Sequence, residues 1–274
     1  MTIAYADVYL SPHYDDASLS CGGAIHDRGQ SGRPALVVTV FAAPPEASRP
    51  LSPFAGAMHQ SWGNPADMTA VRQAEDQASM QLLQADYLRL NLTDCIYRGR
   101  LEAEEWYYPG EASLFGPIHS AERALLARIV EAVEELAPGR TGATIYAPLA
   151  VGHHVDHQLA RAAAWQLRPR GWAVAFYEDY PYADPAYPFT RPANPWEAPH
   201  TVESALAARR PAKLQPRLRY FSEESLQAKI KSVQAYTSQL GTLFGGPAEA
   251  EKRLRAYALH VGQGRPAERI WLPE

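Results

Sequence analysis

Short apolar runs alternate with amphipathic segments from the N-terminus to about residue 178. The runs have the length of buried strands, and several are rich in β-branched residues, as at 36–41. Between them, apolar residues recur at helical spacing, most clearly in the segment 125–136. The predicted strands are 5–10, 36–41, 87–92, 143–148 and 172–177, and the predicted helices cover 18–30, about 71–82, 125–136 and 155–167.

The order strand, helix, strand predicts parallel pairing, because two strands joined through a crossover helix point the same way. The fold class that follows is α/β, a Rossmann-like three-layer α/β/α sandwich with a mainly parallel sheet. Beyond residue 216 the pattern predicts two more helices, at about 222–240 and 248–260, and a closing strand near 269–272. Nothing in the pattern requires a division, so the whole chain, 1–274, is expected to form one domain.

Three segments interrupt this alternation, at about 42–67, 93–117 and 178–216. Each is longer than the usual connection between elements, which marks it as functional or mobile, and we expect the three to form long active-site loops. They are rich in proline and aromatic residues, including Trp62 in the first and Tyr182 in the third. Aromatic faces beside polar tips suit stacking on sugar rings, but the same residues could serve only to anchor long loops. The sequence does not choose between these roles.

Composition narrows the function classes. No apolar run approaches the roughly 20 residues of a membrane span, and the N-terminus lacks the basic and apolar regions of a secretory signal. A net charge of −4 and a pI near 6.1 argue against a nucleic-acid partner and favour a small neutral or polar substrate. We therefore expect a cytoplasmic protein without membrane or nucleic-acid partners, whose Cys21 and Cys95 are reduced structural thiols. Assembly into a homo-oligomer stays open.

The end of the first predicted strand carries a concentration of titratable groups, His13, Asp15 and Asp16. In an open α/β sheet, ligands bind outside the carboxyl ends of the strands, so these side chains are expected at a binding site. Burying such groups side by side is costly unless they are paired or bind a metal. The aspartates alone would also suit capping of the helix that follows, since carboxylates accept hydrogen bonds from its free N–H groups.

A second polar cluster, residues 153–157 (His-His-Val-Asp-His), follows the predicted strand 143–148. Catalytic zinc sites commonly use three protein ligands, and this cluster offers one to complete the first cluster. If the segment begins a helix, two pairs of side chains could share a helix face: His154 with His157, or His153 with His157. Spacing alone does not choose between the two pairs. The other histidines lack such a context and are expected to have structural roles: His26, His59, His119, His200 and His260.

Both clusters resemble motifs of one family. Residues 11–16, Ser-Pro-His-Tyr-Asp-Asp, are similar to the (A/S)-H-P-D-D-E signature of the LmbE-like, or PIG-L, family of zinc-dependent N-acetylglucosaminyl deacetylases. Residues 154–157 match the family's H-x-D-H signature. Weaker matches extend the resemblance along nearly the whole chain: R-x-x-E at 72–75, (H/Y)-x-S-Q at 236–239 and A-E-R at 267–269. Two spaced signatures in this topology are far more specific than one of them alone.

The resemblance implies a role for most residues of the two signatures. It makes His13, Asp16 and His157 the ligands of one Zn²⁺ ion per chain, with other divalent metals left open. It makes Asp15 the general base, which takes a proton from a water molecule that the metal has acidified. It makes His154 the group that acts on the oxyanion and the leaving amine.

Two further residues complete the implied site. Asp156 would orient His154, and a carboxylate beside an imidazole raises its pKa, so His154 is expected to be protonated. The catalytic set is then Asp15, His154 and Asp156. Arg72 would bind the substrate or, alternatively, pair with Glu75.

The activity that the resemblance implies is removal of an acetyl group from an N-acetylated amino sugar or sugar conjugate, a small-molecule substrate. Two alternatives stay open: a metal-dependent amidase acting on a non-sugar or thiol-conjugate amide, and a non-catalytic sugar-binding relative. The chain departs from the first signature at Tyr14, which replaces a proline, and at Ala17, which replaces a glutamate. Gly152 stands where some family members have a tyrosine. Neither position 14 nor position 17 supplies a ligand or the base, so catalysis is expected to survive these two changes.

Overall fold

The computed structural model describes residues 5–63, 66–100, 105–136, 142–186, 201–207 and 213–274. Its strands are β1 (Asp7–Ser11), β2 (Leu36–Thr39), β3 (Asp86–Arg89), β4 (Gly99–Arg100), β5 (Glu105–Trp106), β6 (Thr144–Pro148), β7 (Ala173–Tyr177), β8 (Leu214–Tyr220) and β9 (Ala267–Pro273). Its helices are α1 (Asp16–Gln30), α2 (Pro53–Ser61), α3 (Met68–Leu83), α4 (Glu111–Leu114), α5 (Arg123–Leu136), α6 (Val155–Leu167), α7 (Val202–Ala207), α8 (Glu223–Gln234), α9 (Thr237–Phe244) and α10 (Pro247–Val261).

A seven-stranded sheet in the order β3-β2-β1-β6-β7-β9-β8 forms the middle layer. The strands from β3 to β7 pair in parallel, whereas β9 is antiparallel to both of its neighbours. Alternate residues of β1 face opposite layers: Val8 and Leu10 pack with α5 and α6, and Tyr9 packs with α1 and α3. The predicted α/β/α sandwich with a mainly parallel sheet is confirmed. Among the described helices, none combines the length and the apolar character that a membrane crossing requires.

The sheet order reverses between β1 and β6. From β1 the chain continues to β2 on one side, and from β6 it continues to β7 on the other side. Open α/β sheets bind their ligands at such a reversal, outside the carboxyl ends of the strands. The ends of β1 and β6, at Ser11 and Pro148, therefore define where a ligand is expected.

The structure differs from the predicted elements mainly in the last third of the chain. The predicted helix 222–240 is two helices, α8 and α9, because the chain turns at Tyr236, whose hydroxyl donates to the Tyr14 carbonyl oxygen at 2.7 Å. Strand β8 begins inside the predicted loop 178–216. This strand is hard to recognise in the sequence because its residues are mostly polar and include Pro216. An edge strand can contain such residues, since one of its sides is not paired. Short elements also occur in the other long segments, such as α2 and α4.

The weaker sequence motifs hold the C-terminal helices against the rest of the fold. The Thr237 hydroxyl, at the start of α9, donates to Glu75 of α3 at 2.7 Å. Glu268 of β9 accepts from the Gly23 N–H of α1 at 2.9 Å and from the Lys229 ammonium of α8 at 2.7 Å. These contacts give the two motif glutamates a structural role away from the strand ends where a ligand is expected.

Candidate metal centre and active site

Two turns, at the ends of β1 and β6, bring the predicted residues together. After β1, the Ser11 hydroxyl donates to the His13 carbonyl oxygen at 2.6 Å and accepts from the Ala17 N–H at 3.0 Å, which folds the intervening residues tightly. After β6, His154 caps the N-terminus of α6, and His157 lies in the first turn of that helix. The ring centroid of His13 is 5.0 Å from that of His154 and 5.7 Å from that of His157.

The Asp16 carboxylate lies between two imidazoles. Its Oδ2 is 3.3 Å from Nδ1 of His13, and its Oδ1 is 3.3 Å from Nε2 of His157. Burial opposes a charge on Asp16, but His157 and His13 hold its pKa well below the usual range. The three residues predicted as ligands therefore lie together, and their role as ligands stays a prediction.

The imidazoles of His13 and His157 each contact a second buried carboxylate through the ring nitrogen that does not face Asp16. Nδ1 of His157 is 2.6 Å from Oδ1 of Asp179, and Nε2 of His13 is 3.1 Å from Oδ2 of Asp156. Metal-binding histidines typically donate their second N–H to such a partner, which fixes the ring and the tautomer. The arrangement leaves Nδ1 of His13 and Nε2 of His157 facing Asp16.

This donor set fits a divalent ion. Imidazole nitrogens and carboxylate oxygens suit zinc and related metals. A donor nitrogen of His13 and one of His157 lie within 4.8 Å of each other. The surroundings also favour positive charge: although burial lowers it, Asp16 and Asp179 raise the pKa of His157 to about 9. A cation held between these groups would take the place of that proton.

Asp15 is held by Arg72. Nη2 of Arg72 donates to Oδ1 of Asp15 at 3.1 Å, and the guanidinium lies over the rings of Tyr14 and Trp62, at 5.2 and 5.5 Å from their centroids. Burial raises the pKa of Asp15, although Arg72 opposes the shift. Glu75, the alternative partner for Arg72, instead accepts hydrogen bonds from the start of α9. Arg72 thus fixes the predicted base, and its contact with a substrate stays a prediction.

The surroundings of His154 favour its neutral imidazole form. Burial and the neighbouring His13 hold its pKa well below the usual range, which is opposite to the direction expected from Asp156 alone. Its Nδ1 accepts from the Asp156 N–H at 3.3 Å, which leaves the proton on Nε2. Of the two histidine pairs that spacing left open, His154 and His157 both lie beside His13, whereas His153 contacts the Phe115 carbonyl oxygen.

The Asp156 carboxylate contacts groups other than the His154 ring. Its Oδ1 accepts from Nη2 of Arg98 at 2.5 Å, and its Oδ2 accepts from the Cys95 N–H at 3.1 Å, besides contacting His13. Although Asp156 is fully buried, Arg98 holds its pKa far below the usual range. Its contact with His154 runs through its backbone N–H, and orientation of His154 by the carboxylate stays a prediction.

The motifs do not contain every residue at the site. Asp94 Oδ2 lies 3.5 Å from Nε2 of His13. Asp94 and Asp179 each follow a parallel strand, β3 and β7, and that position is the signal that could have indicated them. Two aromatic rings from the long segments lie at the site: Phe115 is 5.6 Å from His154, and Tyr182 is 5.8 Å from His157, between centroids. Three further aromatics of the third segment lie outside the described residues: Tyr187, Phe189 and Trp196.

The structure accounts for the departures from the signature. The Tyr14 hydroxyl donates to the Ala42 carbonyl oxygen at 2.7 Å, so this residue fastens the first long segment. Ala17 is fully buried in an apolar cluster with Tyr177, where a glutamate would need a partner. Gly152 has a φ of 89°, a backbone conformation that glycine adopts without strain.

We expect Asp179→Asn to weaken metal binding by about 10–100-fold, the range typical of residues that only orient a ligand. The amide keeps the shape of the side chain but removes the negative charge that holds Nδ1–H of His157. Metal retention is measured after dialysis against a graded series of chelator concentrations. Asp184→Asn, at a half-exposed position of the same segment, is the control. Equal retention in the two variants would contradict this role of Asp179.

Comparison with known proteins gives consistent similarities. The family model described as GlcNAc-PI de-N-acetylase, PIG-L, matches residues 8–167. The chain is 29% identical over 191 residues to a 2′-N-acetylparomamine deacetylase of Niallia circulans, covering 65% of this chain and 67% of that protein. It is 32% identical over 186 residues to a 2′-N-acetylparomamine deacetylase of Streptomyces fradiae, covering 64% of this chain and 56% of that protein, so it spans little more than half of this relative. The zinc-inhibited form of a teicoplanin deacetylase superimposes with a TM-score of 0.77 and 25% identity, over 98% of both chains.

Proposed function

The chain belongs to the PIG-L family of GlcNAc-PI de-N-acetylases, and from this premise we propose that it is a zinc-dependent deacetylase that removes acetyl from an N-acetylated amino sugar or sugar conjugate. The chain is a hydrolase of the deacetylase class, acting on an amide bond. Relatives named for paromamine and teicoplanin support a sugar-bearing substrate. The proposal covers the whole chain as one catalytic domain.

One observation carries the proposal: the ligand-type side chains at the ends of β1 and β6 meet within hydrogen-bonding reach of one another. Asp16 contacts both His13 and His157, at 3.3 Å each, and Asp15 is the adjacent residue of the same turn. His13, Asp16 and His157 would hold the ion. When bound, a divalent ion would polarise the amide carbonyl and acidify a water molecule.

Asp15 would act as the general base. Its carboxylate accepts the proton of the attacking water, while the hydrogen bond from Arg72 fixes its position. Since burial raises its pKa, Asp15 is a stronger base than an exposed carboxylate. The carbon–nitrogen bond then breaks, and Asp15 passes the proton to the leaving nitrogen. Water and amide are thereby converted to acetate and an amine.

His154 would stabilise the developing oxyanion as a neutral hydrogen-bond donor. Its proton lies on Nε2, because Nδ1 accepts from the Asp156 N–H. A donor fixed before the reaction needs no reorganisation as negative charge develops on the carbonyl oxygen. This assignment leaves Asp15, rather than His154, as the carrier of the proton to the amine.

Metal removal and acetate detection test the proposal together. The protein treated with chelator should release no acetate from a panel of N-acetyl amino sugars, and stoichiometric Zn²⁺ should restore release, measured as equal amounts of acetate and free amine. A known family member assayed beside it shows that the panel is adequate. If the metal-replete protein hydrolyses none of these sugars while the relative does, the substrate assignment fails. Release of an acid other than acetate from a non-sugar amide would favour the amidase alternative.

A further inference from the structure

Tyr236 is a buried tyrosine between α8 and α9 that the deacetylation mechanism does not use. Only 1% of the residue is exposed. Its hydroxyl donates to the Tyr14 carbonyl oxygen at 2.7 Å and lies 3.3 Å from Oδ1 of Asp76. A phenol has one proton to donate, and the shorter of the two contacts is the one with the carbonyl oxygen. Burial raises the pKa of Tyr236 well above its usual range, so the hydroxyl remains a donor.

The carbonyl that Tyr236 holds belongs to the peptide that joins Tyr14 to the proposed base, Asp15. A peptide group is planar, so fixing its oxygen also fixes the direction in which the chain enters Asp15. On the other side, the Asp15 carbonyl oxygen accepts from the Leu19 N–H at 2.9 Å, in the first turn of α1. The backbone of Asp15 is therefore held both before and after its Cα atom.

The Asp15 side chain depends on this backbone for its direction. Its carboxylate accepts from Nη2 of Arg72 at 3.1 Å, and the side chain makes no capping hydrogen bond to the described helix α1. A carboxylate held through one oxygen can pivot about that contact. The neighbouring ligand-type residues are tied to each other as well, because the His13 N–H donates to Oδ2 of Asp16 at 2.7 Å. Among these three residues, the base is thus the one most sensitive to the position of its peptide.

Helix α3 positions both anchors of the base. Arg72 and Asp76 are four residues apart on this helix, which places them on one face. Arg72 holds the Asp15 carboxylate, whereas the fully buried Asp76 lies against the Tyr236 hydroxyl. The other oxygen of Asp76, Oδ2, accepts from Nε of Arg89 at 2.9 Å, which fixes the carboxylate behind the phenol. One rigid element thereby sets the position of the base through its side chain and through its backbone.

We propose that Tyr236 is a positioning residue for the general base: its hydroxyl holds the peptide between Tyr14 and Asp15, so that the Asp15 carboxylate points toward the attacking water. The inference rests on the proposed deacetylase function and deepens it. Tyr236 acts through Asp15 and contacts neither the substrate nor the metal in this role. Small errors in the placement of a catalytic group are costly, because the reacting atoms must be aligned before the reaction.

Two tyrosine variants test this inference in the zinc-loaded protein, with the N-acetyl amino sugar that the wild type hydrolyses fastest. Tyr236→Phe removes the hydroxyl and keeps the ring, and α9 stays anchored because Glu75 accepts from the Thr237 hydroxyl at 2.7 Å. Tyr177→Phe is the matched control, since the Tyr177 hydroxyl is equally buried and donates to a carbonyl oxygen of β1, that of Leu10, at 2.9 Å.

Tyr236→Phe should lower kcat by about tenfold, within the roughly 100-fold that an ångström of misplacement can cost. KM and zinc affinity should not change. Tyr177→Phe should keep the wild-type kcat. Unchanged kcat in Tyr236→Phe, or a similar loss in Tyr177→Phe, overturns the inference. Failure of Tyr236→Phe to fold overturns it as well, because the hydroxyl would then be required for the fold and not for the base.

Combination with Asp15→Asn separates a positioning role from a general loss of structure. If Tyr236 acts through the base, Tyr236→Phe should change kcat by less than about twofold once the base is absent, since residues that act as one unit are not additive. Recurrence of the tenfold loss in the Asp15→Asn background overturns the inference.

The proposed function can fail separately. If the wild type hydrolyses no N-acetyl sugar, crystal structures of the two tyrosine variants decide the inference. Tyr236→Phe should show the peptide between Tyr14 and Asp15 rotated and the carboxylate beyond hydrogen-bonding distance of Arg72, whereas Tyr177→Phe should keep that contact at 3.1 Å. An Asp15 carboxylate that keeps its place in both variants overturns the inference.

Discussion

Asp15→Asn is expected to lower acetate release by about 10²–10⁴-fold, the usual contribution of a general base, while the metal stays bound. The amide cannot accept the proton of the attacking water at neutral pH. It keeps the size of the side chain, and the residues that would hold the ion, Asp16 among them, are unchanged. Turnover is measured as acetate release, and bound metal is measured by elemental analysis on the same sample.

Two readouts separate a lost base from a damaged fold. The substitution leaves the Arg72 guanidinium buried without its carboxylate partner, and losing one side of a buried ion pair typically costs about 3–5 kcal/mol. Denaturant unfolding therefore accompanies the assay. Asp27→Asn, on the same helix far from the site, is the control and should keep wild-type turnover. If Asp15→Asn is folded, holds its metal and retains activity, the assignment of Asp15 as base is wrong.

The fold was predictable because periodicity along the chain reflects burial on the sheet. The central parallel strands β1, β2, β6 and β7 are covered on both faces, so each appears in the sequence as a short apolar run. Strand β8 lies at the sheet edge with much of its surface exposed, and it lacks such a run. The break between α8 and α9 depends on Tyr236 bonding to Tyr14, a contact across the whole fold. Local pattern carries no information about a contact of this kind.

The candidate site was predictable to the extent that strand ends and motif spacing determine it. His13 and His157 are far apart in the chain, but β1 and β6 pair in parallel, so their ends meet at one edge. Asp156, the carboxylate behind His13, was identified from the sequence as a partner of His154, and Asp179, the carboxylate behind His157, was not identified. Asp179 lies on a third strand end and follows no motif, and only its 2.6 Å contact with His157 reveals its role.

The protonation of His154 shows why proximity in sequence is a poor guide to electrostatics. Asp156 is two residues away, which suggested a raised pKa. In the fold Asp156 does raise the pKa of His154, but burial and the neighbouring His13 lower it by more. The lowered pKa of His154 therefore favours its neutral ring, and in the proposed mechanism Asp15 carries the proton from the attacking water to the leaving amine.

Asp16→Asn is expected to lower metal affinity sharply and to remove turnover at stoichiometric Zn²⁺, in contrast to the same change at the adjacent residue. Asp16 provides the negative charge between the imidazoles of His13 and His157, at 3.3 Å from each. An amide offers one neutral oxygen in its place. The loss of metal affinity should exceed the roughly 10–100-fold that follows removal of a group that only orients a ligand. Calorimetric titration of the metal-free protein with Zn²⁺ measures the affinity, and acetate release is followed over the same titration.

The two asparagine variants are diagnostic as a pair because each is the other's control for altered charge beside the site. If Asp16 holds the ion, excess Zn²⁺ should restore part of the turnover of Asp16→Asn, since the base is still present, and none in Asp15→Asn. Wild-type zinc affinity in Asp16→Asn would contradict the ligand assignment. Zinc loss in Asp15→Asn instead would exchange the two roles. Neighbouring carboxylates then differ in function because the turn after β1 directs one toward two imidazoles and the other toward Arg72.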